Sequence, residues 1–295
     1  MRAALSTLEL VRPRSLAHAL AAYRDSIANG RLTPLAGGTD LFVYLNAGQL
    51  EARRFLDLTP LAELRGIRVA RDGVRLGALT TFLEIQRHDV VRRRFPSLVA
   101  AASEVGAWQI QARATIAGNI ANASPAGDSL PVLLAHGAVV HARSTRGERA
   151  IAFDTLYRGY RALALEPDEL IVAITLPFAS PRAVPFFRMV GTRRALSISK
   201  VVFSGLIVRD ARGAIAEARL AYGSVAPVPL RAAAAERALI GLRPGPEAAA
   251  QARAALARDI APIDDIRSDA DYRMTVAGNL IEQFMRAAAA KGGGH

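Results

Sequence analysis

Residues 115–128 read TIAGNIANASPAGD, a run of small and amide-bearing side chains with no charged group before Asp128. Such a run builds no amphipathic face. Gly118 and its small neighbours leave the backbone open, so N–H groups around Gly118 and Asn119 can turn into a concavity and hold an anion, as turn nests hold phosphates. Gly, Ala, Asn, Ser and Pro also compose ordinary surface connections. Taken alone, the stretch does not separate a phosphate cradle from a plain loop.

A second stretch sharpens the reading. Residues 35–41 read LAGGTDL, following a β-branched and apolar segment at 32–35 and preceding an apolar helical segment at 41–47. Thr39 or Asp40 can cap that helix, which makes a strand, a turn and a helix N-terminus in succession. The unpaired N–H groups of a first helical turn and the helix dipole both favour negative charge. A side chain at Gly37 or Gly38 would obstruct a phosphate or demand a positive φ. Neither GxGxxG nor a Walker lysine occurs here, so this is not the fingerprint of a doubly wound fold. Two phosphate-type loops fit the diphosphate of a dinucleotide.

Outward from these loops, the pattern alternates short strands and helices. Ser15 caps a helix expected over 16–29 and closed by Gly30. A strand at 55–58, a helical turn at 61–64 and a hairpin of 67–70 with 73–76 follow, then helices at 82–88 and 98–105. Beyond Asp128 come a helix stub at 130–134 and strands at 138–142, 148–153 and 171–176, the last ending at Pro177. Pro181 and Pro185 mark a crossing to a second domain. There, three strands at 186–190, 198–209 and 214–222 form an antiparallel sheet, and helices are expected at 230–240, 246–260 and 270–290. The division is therefore residues 1–177, residues 178–290 and a Gly-rich tail at 291–295.

Composition excludes several classes. Hydrophobic residues make up 51% and charged residues 22% of 295, which suits a globular chain rather than a disordered one. There is no Cys, so this chain holds neither a disulfide nor a thiolate-ligated iron–sulfur cluster. The net charge of +12 is almost wholly arginine, Lys200 and Lys291 being the only lysines. These arginines are scattered and lack interleaved stacking aromatics, which argues against nucleic acid as a partner. Five histidines show no metal-ligand spacing. Trp108 is open to a place on a flavin, in the core or at an interface. No apolar run approaches the length of a membrane span, and no leader pattern opens the chain, so a cytoplasmic protein is expected.

The two loops together resemble the FAD-binding subunit or domain of the molybdenum hydroxylases, the family of xanthine dehydrogenase and the carbon monoxide dehydrogenase flavoprotein. Gly159-Tyr160-Arg161, Pro167 to Ile171, Gly191 to Lys200, Gly223 to Pro227 and Asp271-Tyr272-Arg273 are similar to family landmarks in the same order. The resemblance implies an α+β fold, with a two-part PCMH-type FAD-binding domain followed by a smaller C-terminal domain of three strands and a helical bundle. It implies non-covalent FAD, with the pyrophosphate on Leu35, Ala36, Gly37, Gly38, Thr39, Asp40 and Leu41, and further contacts from Thr115, Gly118, Asn119, Ser124 and Asp128. Leu170 and Ile171 match a segment that lies along the cofactor. Arg188 stands where the xanthine dehydrogenase type has a lysine near the flavin, and a surface ion pair is the competing reading. Ala117 departs from the family's Gly-Gly and puts a methyl group where close backbone approach is expected. The implied partners are a large subunit with the molybdenum cofactor, a small subunit with [2Fe-2S] clusters, and an electron acceptor such as NAD or a quinone. An autonomous FAD-dependent oxidase or reductase is the alternative.

Overall fold

The computed structural model describes residues 7–193 and 196–290. The expected tail at 291–295 and two positions of the 191–200 segment lie outside the described residues. The N-terminal elements are β1 (Glu9–Val11), α1 (Leu16–Ser26), β2 (Thr33–Leu35), α2 (Leu41–Asn46) and β3 (Arg54–Asp57). β1 and β2 flank β3 in a wholly parallel three-stranded sheet. The Ser15 hydroxyl accepts from the N–H of His18, as a Ser cap should. α1 stops short of the expected Asn29. The hydroxyl of Ser26 donates to Tyr23 O at 2.7 Å and accepts from Leu32 N at 3.1 Å, which turns the chain toward β2.

The next elements are β4 (Ile67–Val69), β5 (Gly73–Gly77), α3 (Phe82–Arg87), α4 (Asp89–Arg94), α5 (Pro96–Glu104), α6 (Trp108–Gln111), α7 (Ile116–Asn122) and α8 (Leu130–Ala135). Strands β6 (Val139–Ser144), β7 (Gly147–Ala152), β8 (Tyr157–Gly159), β9 (Ala162–Leu163) and β10 (Leu170–Pro177) follow. A five-stranded antiparallel sheet runs β4-β5-β10-β6-β7, with the apolar β10 at its centre. β8 and β9 form a small hairpin that the sequence pattern does not announce. Every residue of α8 is buried, and one continuous apolar cluster joins it to α3, α5, β5, β6 and β10.

The first half of residues 115–128 is not a loop. Thr115 accepts a hydrogen bond from Gly118 N at 3.1 Å and starts α7, whose Ile116, Ala117 and Ile120 are buried. Small residues hide helical periodicity, but an N-cap and two buried isoleucines at helical spacing suffice once a core is there to receive them.

A second apolar cluster is built by β11 (Ala183–Val190), β12 (Val201–Arg209), β13 (Ile215–Gly223), β14 (Leu230–Arg231), α9 (Ala233–Leu239), α10 (Pro246–Leu256) and α11 (Ala270–Ala290). The sheet has four strands in the order β11-β12-β13-β14 rather than the expected three. Leu230 and Arg231 pair with β13 before the chain becomes helical at Ala233, so the helix expected from 230 starts later. Pro185 sits within β11 at the sheet edge, where a strand tolerates proline. A Cβ on Gly205 would lie 2.4 Å from the Phe284 ring, so glycine lets α11 close on the sheet. The two clusters meet along β11, where Phe186 packs on the second and Phe187 on the first. α8 also packs on β12 and β13.

Candidate dinucleotide site between two joined loops

The first loop leaves β2 at Leu35, whose carbonyl accepts from Leu58 N at 2.9 Å. Gly38 takes φ +74°, which turns the chain so that its carbonyl receives Phe42 N at 3.0 Å and α2 begins. Among the described residues no hydrogen bond engages the N–H groups of Gly37, Gly38, Thr39, Asp40 or Leu41. That is a row of unpaired donors at a helix start, the arrangement that accepts a phosphate. The expected side-chain cap is absent. Asp40 occupies the cap position and its carbonyl accepts from Tyr44 N at 3.0 Å, but its side chain makes no bond to the helix, and its Oδ2 accepts from Asn122 Nδ2 at 3.2 Å. Burial raises the Asp40 carboxyl above its ordinary value, against the opposing charge of Arg161.

The second loop works differently from the expectation. Ile116 N donates to Thr80 O, Ala117 N to Ala78 O, Gly118 N to the Thr115 hydroxyl and Asn119 N to Thr115 O. The N–H groups of Gly118 and Asn119 are thus spent inside the protein and hold no anion. Gly118 is required by the cap itself, since a Cβ there would lie 2.9 Å from Thr115 Oγ1. Ala117 is buried in the first apolar cluster, so its methyl group points into the core rather than into a cofactor path. What this segment offers is side chains. Asn119 accepts from Ser129 Oγ at 2.8 Å through its Oδ1, leaving its amide nitrogen to donate. Ser124 accepts from Ala126 N and keeps its own hydroxyl proton. Asp128 Oδ1 is sealed from solvent and has no hydrogen-bond partner.

That orphaned oxygen carries a titration signature. Burial, with the charge of Glu104 adding to it, pushes the Asp128 carboxyl up to about 8. A buried acceptor without a donor costs free energy that a hydroxyl-bearing ligand would recover.

The two loops are joined at Gly37. A Cβ at this position would lie 2.1 Å from Arg113 O and 3.1 Å from Ala114 Cα, so the backbone just before Thr115 passes directly over the glycine. The glycine is needed for loop against loop, a steric reason distinct from phosphate access. A cavity of about 240 Å³ opens at this junction, lined by Ala36, Gly37, Thr81 and Thr115 with Arg65 and Arg113 at its margin. A polar chain also links α2 to the end of α7: Arg161 Nη2 donates to Tyr44 Oη, and Tyr44 Oη donates to Asn122 Oδ1. The larger groove between α10 and α11 has no part in this junction.

The remaining expected residues are placed elsewhere. Leu170 and Ile171 are buried in β10, on which α7 packs, and so back the second loop from the core. Arg188 is exposed on the edge strand β11, opposite Phe203, and has no partner among the described residues, which removes the surface ion pair. Trp108 is 57% exposed at the start of α6, under the guanidinium of Arg87 at 5.2 Å, and is no core residue. Ser199, Ser224 and Arg273 fall in segments that resemble family landmarks, but sequence reasoning assigned them no role. Ser199 Oγ donates to Ala126 O at 3.2 Å and meets Ser224 Oγ at 2.9 Å, while Ser224 N donates to Pro125 O at 2.9 Å. The contacts of these serines with residues 125 and 126 form only once the two cores meet.

The donor set fits a diphosphate dinucleotide. Free backbone donors and two arginines suit the phosphates, and the unpartnered carboxyl suits sugar hydroxyls. An α+β chain of two cores that joins a donor loop to such an acceptor segment presents the groups that a dinucleotide-binding protein needs. Comparison with known proteins agrees. The family described as "FAD binding domain in molybdopterin dehydrogenase" matches residues 6–179, and "CO dehydrogenase flavoprotein C-terminal domain" matches residues 187–288. The xanthine dehydrogenase FAD-binding subunit of Escherichia coli O157:H7 is 31% identical, covering 96% of each chain. The nicotinate dehydrogenase FAD-subunit of Eubacterium barkeri is 33% identical over 70% of this chain and 71% of its own. A solved carbon monoxide dehydrogenase from Hydrogenophaga pseudoflava superposes with a TM-score of 0.90 at 29% identity, covering 96% of this chain and 97% of that one. The chain belongs to the FAD-binding medium subunits of the xanthine dehydrogenase and carbon monoxide dehydrogenase family of molybdenum hydroxylases, and is an oxidoreductase flavoprotein.

Proposed function

We propose that the chain is the electron-transfer subunit of a molybdenum-containing hydroxylase in the cytoplasm. When bound, FAD would supply the electron-transfer chemistry that the protein side chains do not. The donor is a small partner subunit with [2Fe-2S] clusters, fed by a large subunit with the molybdenum cofactor. The acceptor is an external carrier such as NAD or a quinone. Gly37, Gly38, Thr39, Asp40 and Leu41 present their N–H groups to the pyrophosphate from the end of β2. Asn119 and Ser124 donate to the cofactor, and Asp128 meets its sugar or ribitol hydroxyls. Arg188, an exposed cation without a partner, places positive charge where the C-terminal sheet faces outward and favours an electron-rich ring.

The observation that carries this reading is the pairing of five unengaged N–H groups with one sealed, unpartnered carboxyl oxygen across joined loops. The test is made on the complex purified from its source. The flavin absorbance should bleach when the hydroxylase substrate is added, and should fail to bleach once this chain is separated from its partners. Full substrate turnover by this chain alone would overturn the reading in favour of an autonomous oxidase.

A further inference from the structure

The segment 123–128 carries Ser124 and Asp128, yet little of it is held by the first core. Its anchors come from the other side. Pro125 O receives Ser224 N at 2.9 Å, and Ala126 O receives the Ser199 hydroxyl at 3.2 Å. Ser224 has φ +65°, a left-handed conformation that L side chains adopt rarely and only when the surroundings impose it. Gly223 beside it is close enough that a Cβ would stand 3.0 Å from Pro125 O.

The carbonyl of Ser224 is held by Arg273 in the first turn of α11. Arg273 is 5% exposed; its Nη1 donates to Ser224 O at 2.7 Å and its Nη2 donates to Asp265 Oδ1 at 2.6 Å. Asp265 is itself fixed, because the same oxygen accepts from Arg267 N at 2.8 Å and Ser268 N at 3.1 Å. A planar fork can bond in two directions at once from one buried position, which a lysine ammonium on a flexible stem does poorly.

We propose that Arg273 is a positioning residue that holds the Ser124–Asp128 segment in its cofactor-facing shape, acting through Ser224 and assisted by Ser199. This rests on the proposed FAD site, to which Arg273 itself makes no claim of contact. The second core thereby supports a loop that belongs to the first, and the turn at Asp265 is the fixed end of the support.

The experiment measures FAD affinity by fluorescence titration, the visible circular dichroism of bound flavin and Tm, on the full-length chain. Arg273→Lys should weaken FAD binding by about tenfold and change the visible dichroism, the loss expected when a supporting residue lets a site shift. Asp259→Asn is the control, because Asp259 bonds Ala234 N and Ala235 N at 2.9 Å inside the second core and touches neither loop. It should lower Tm with FAD affinity unchanged. If Arg273→Lys lowers Tm while affinity and dichroism stay as in the wild type, Arg273 is only structural and the inference falls. Should that variant not fold, Ser199→Ala decides, since it spares the Arg273 charge: weakened FAD binding supports the clamp and unchanged binding overturns it. Failure of the wild-type chain to bind FAD would instead overturn the proposed site, and is read separately from the wild-type titration.

Discussion

Replacing Asp128 by asparagine should change how stability depends on pH. In the native apoprotein, burial and the nearby Glu104 hold the carboxyl at about 8, against 3.8 for the free side chain. Between those values the folded chain keeps a proton that the unfolded chain has released, so stability falls as pH rises from 3.8 to about 8 and levels off above. A shift of roughly four units at about 1.36 kcal/mol each bounds the loss near 5 kcal/mol. Asp128 as a whole is only half-buried while Oδ1 is sealed, so solvent screening brings the figure to about 2 to 5 kcal/mol. Asparagine keeps the shape and cannot ionise. Urea denaturation of both apoproteins across a pH series should show the variant gaining on the wild type from pH 4 upward, with the full difference reached above pH 8. Parallel curves would refute the argument, because they would mean that Asp128 titrates alike in both states.

His136 should act with the opposite sign. Burial and Arg219 lower its imidazole to about 4, so stability is lost as pH falls from 6.5 toward 4, and His136→Gln should remove that acid-side loss in the same denaturation series. Gly37→Ala should cost more than Gly38→Ala in Tm and should abolish FAD retention. The first meets Arg113 O at 2.1 Å, whereas the second meets the Phe42 ring, which can move, although its φ of +74° is strained. Thr115→Val removes the cap of α7 and should cost about 1 kcal/mol by denaturant titration, with a smaller loss for Thr115→Ser.

The turn at Gly37 and Gly38 was legible because Gly-Gly after a strand and before an apolar helical segment has few structural solutions. The C-terminal helix over 270–290 and the antiparallel strands followed from periodicity alone. α7 was not legible: alanine, glycine and asparagine blur helical spacing, and the Thr115 cap gains its force from a core that the sequence does not display. β14 was hidden for a related reason, as two residues show no alternation and pair only because β13 presents an open edge. At the candidate site, residue types suggested donors and acceptors but not their division of labour. Gly118 and Asn119 look like backbone donors in sequence, yet the hydroxyl and carbonyl of Thr115 take those N–H groups before any ligand can. Ser199, Ser224 and Arg273 lie far apart in the chain and converge on one loop only through tertiary packing.

Titration of the apoprotein with FAD asks whether the loops carrying Gly37 and Asp128 hold the cofactor. The wild-type chain should bind one FAD per chain with quenching of flavin fluorescence, and Gly38→Val should abolish that binding while a cooperative unfolding transition persists. Wild-type protein that leaves flavin fluorescence unquenched, or a Gly38→Val variant that binds as the wild type does, would contradict the account.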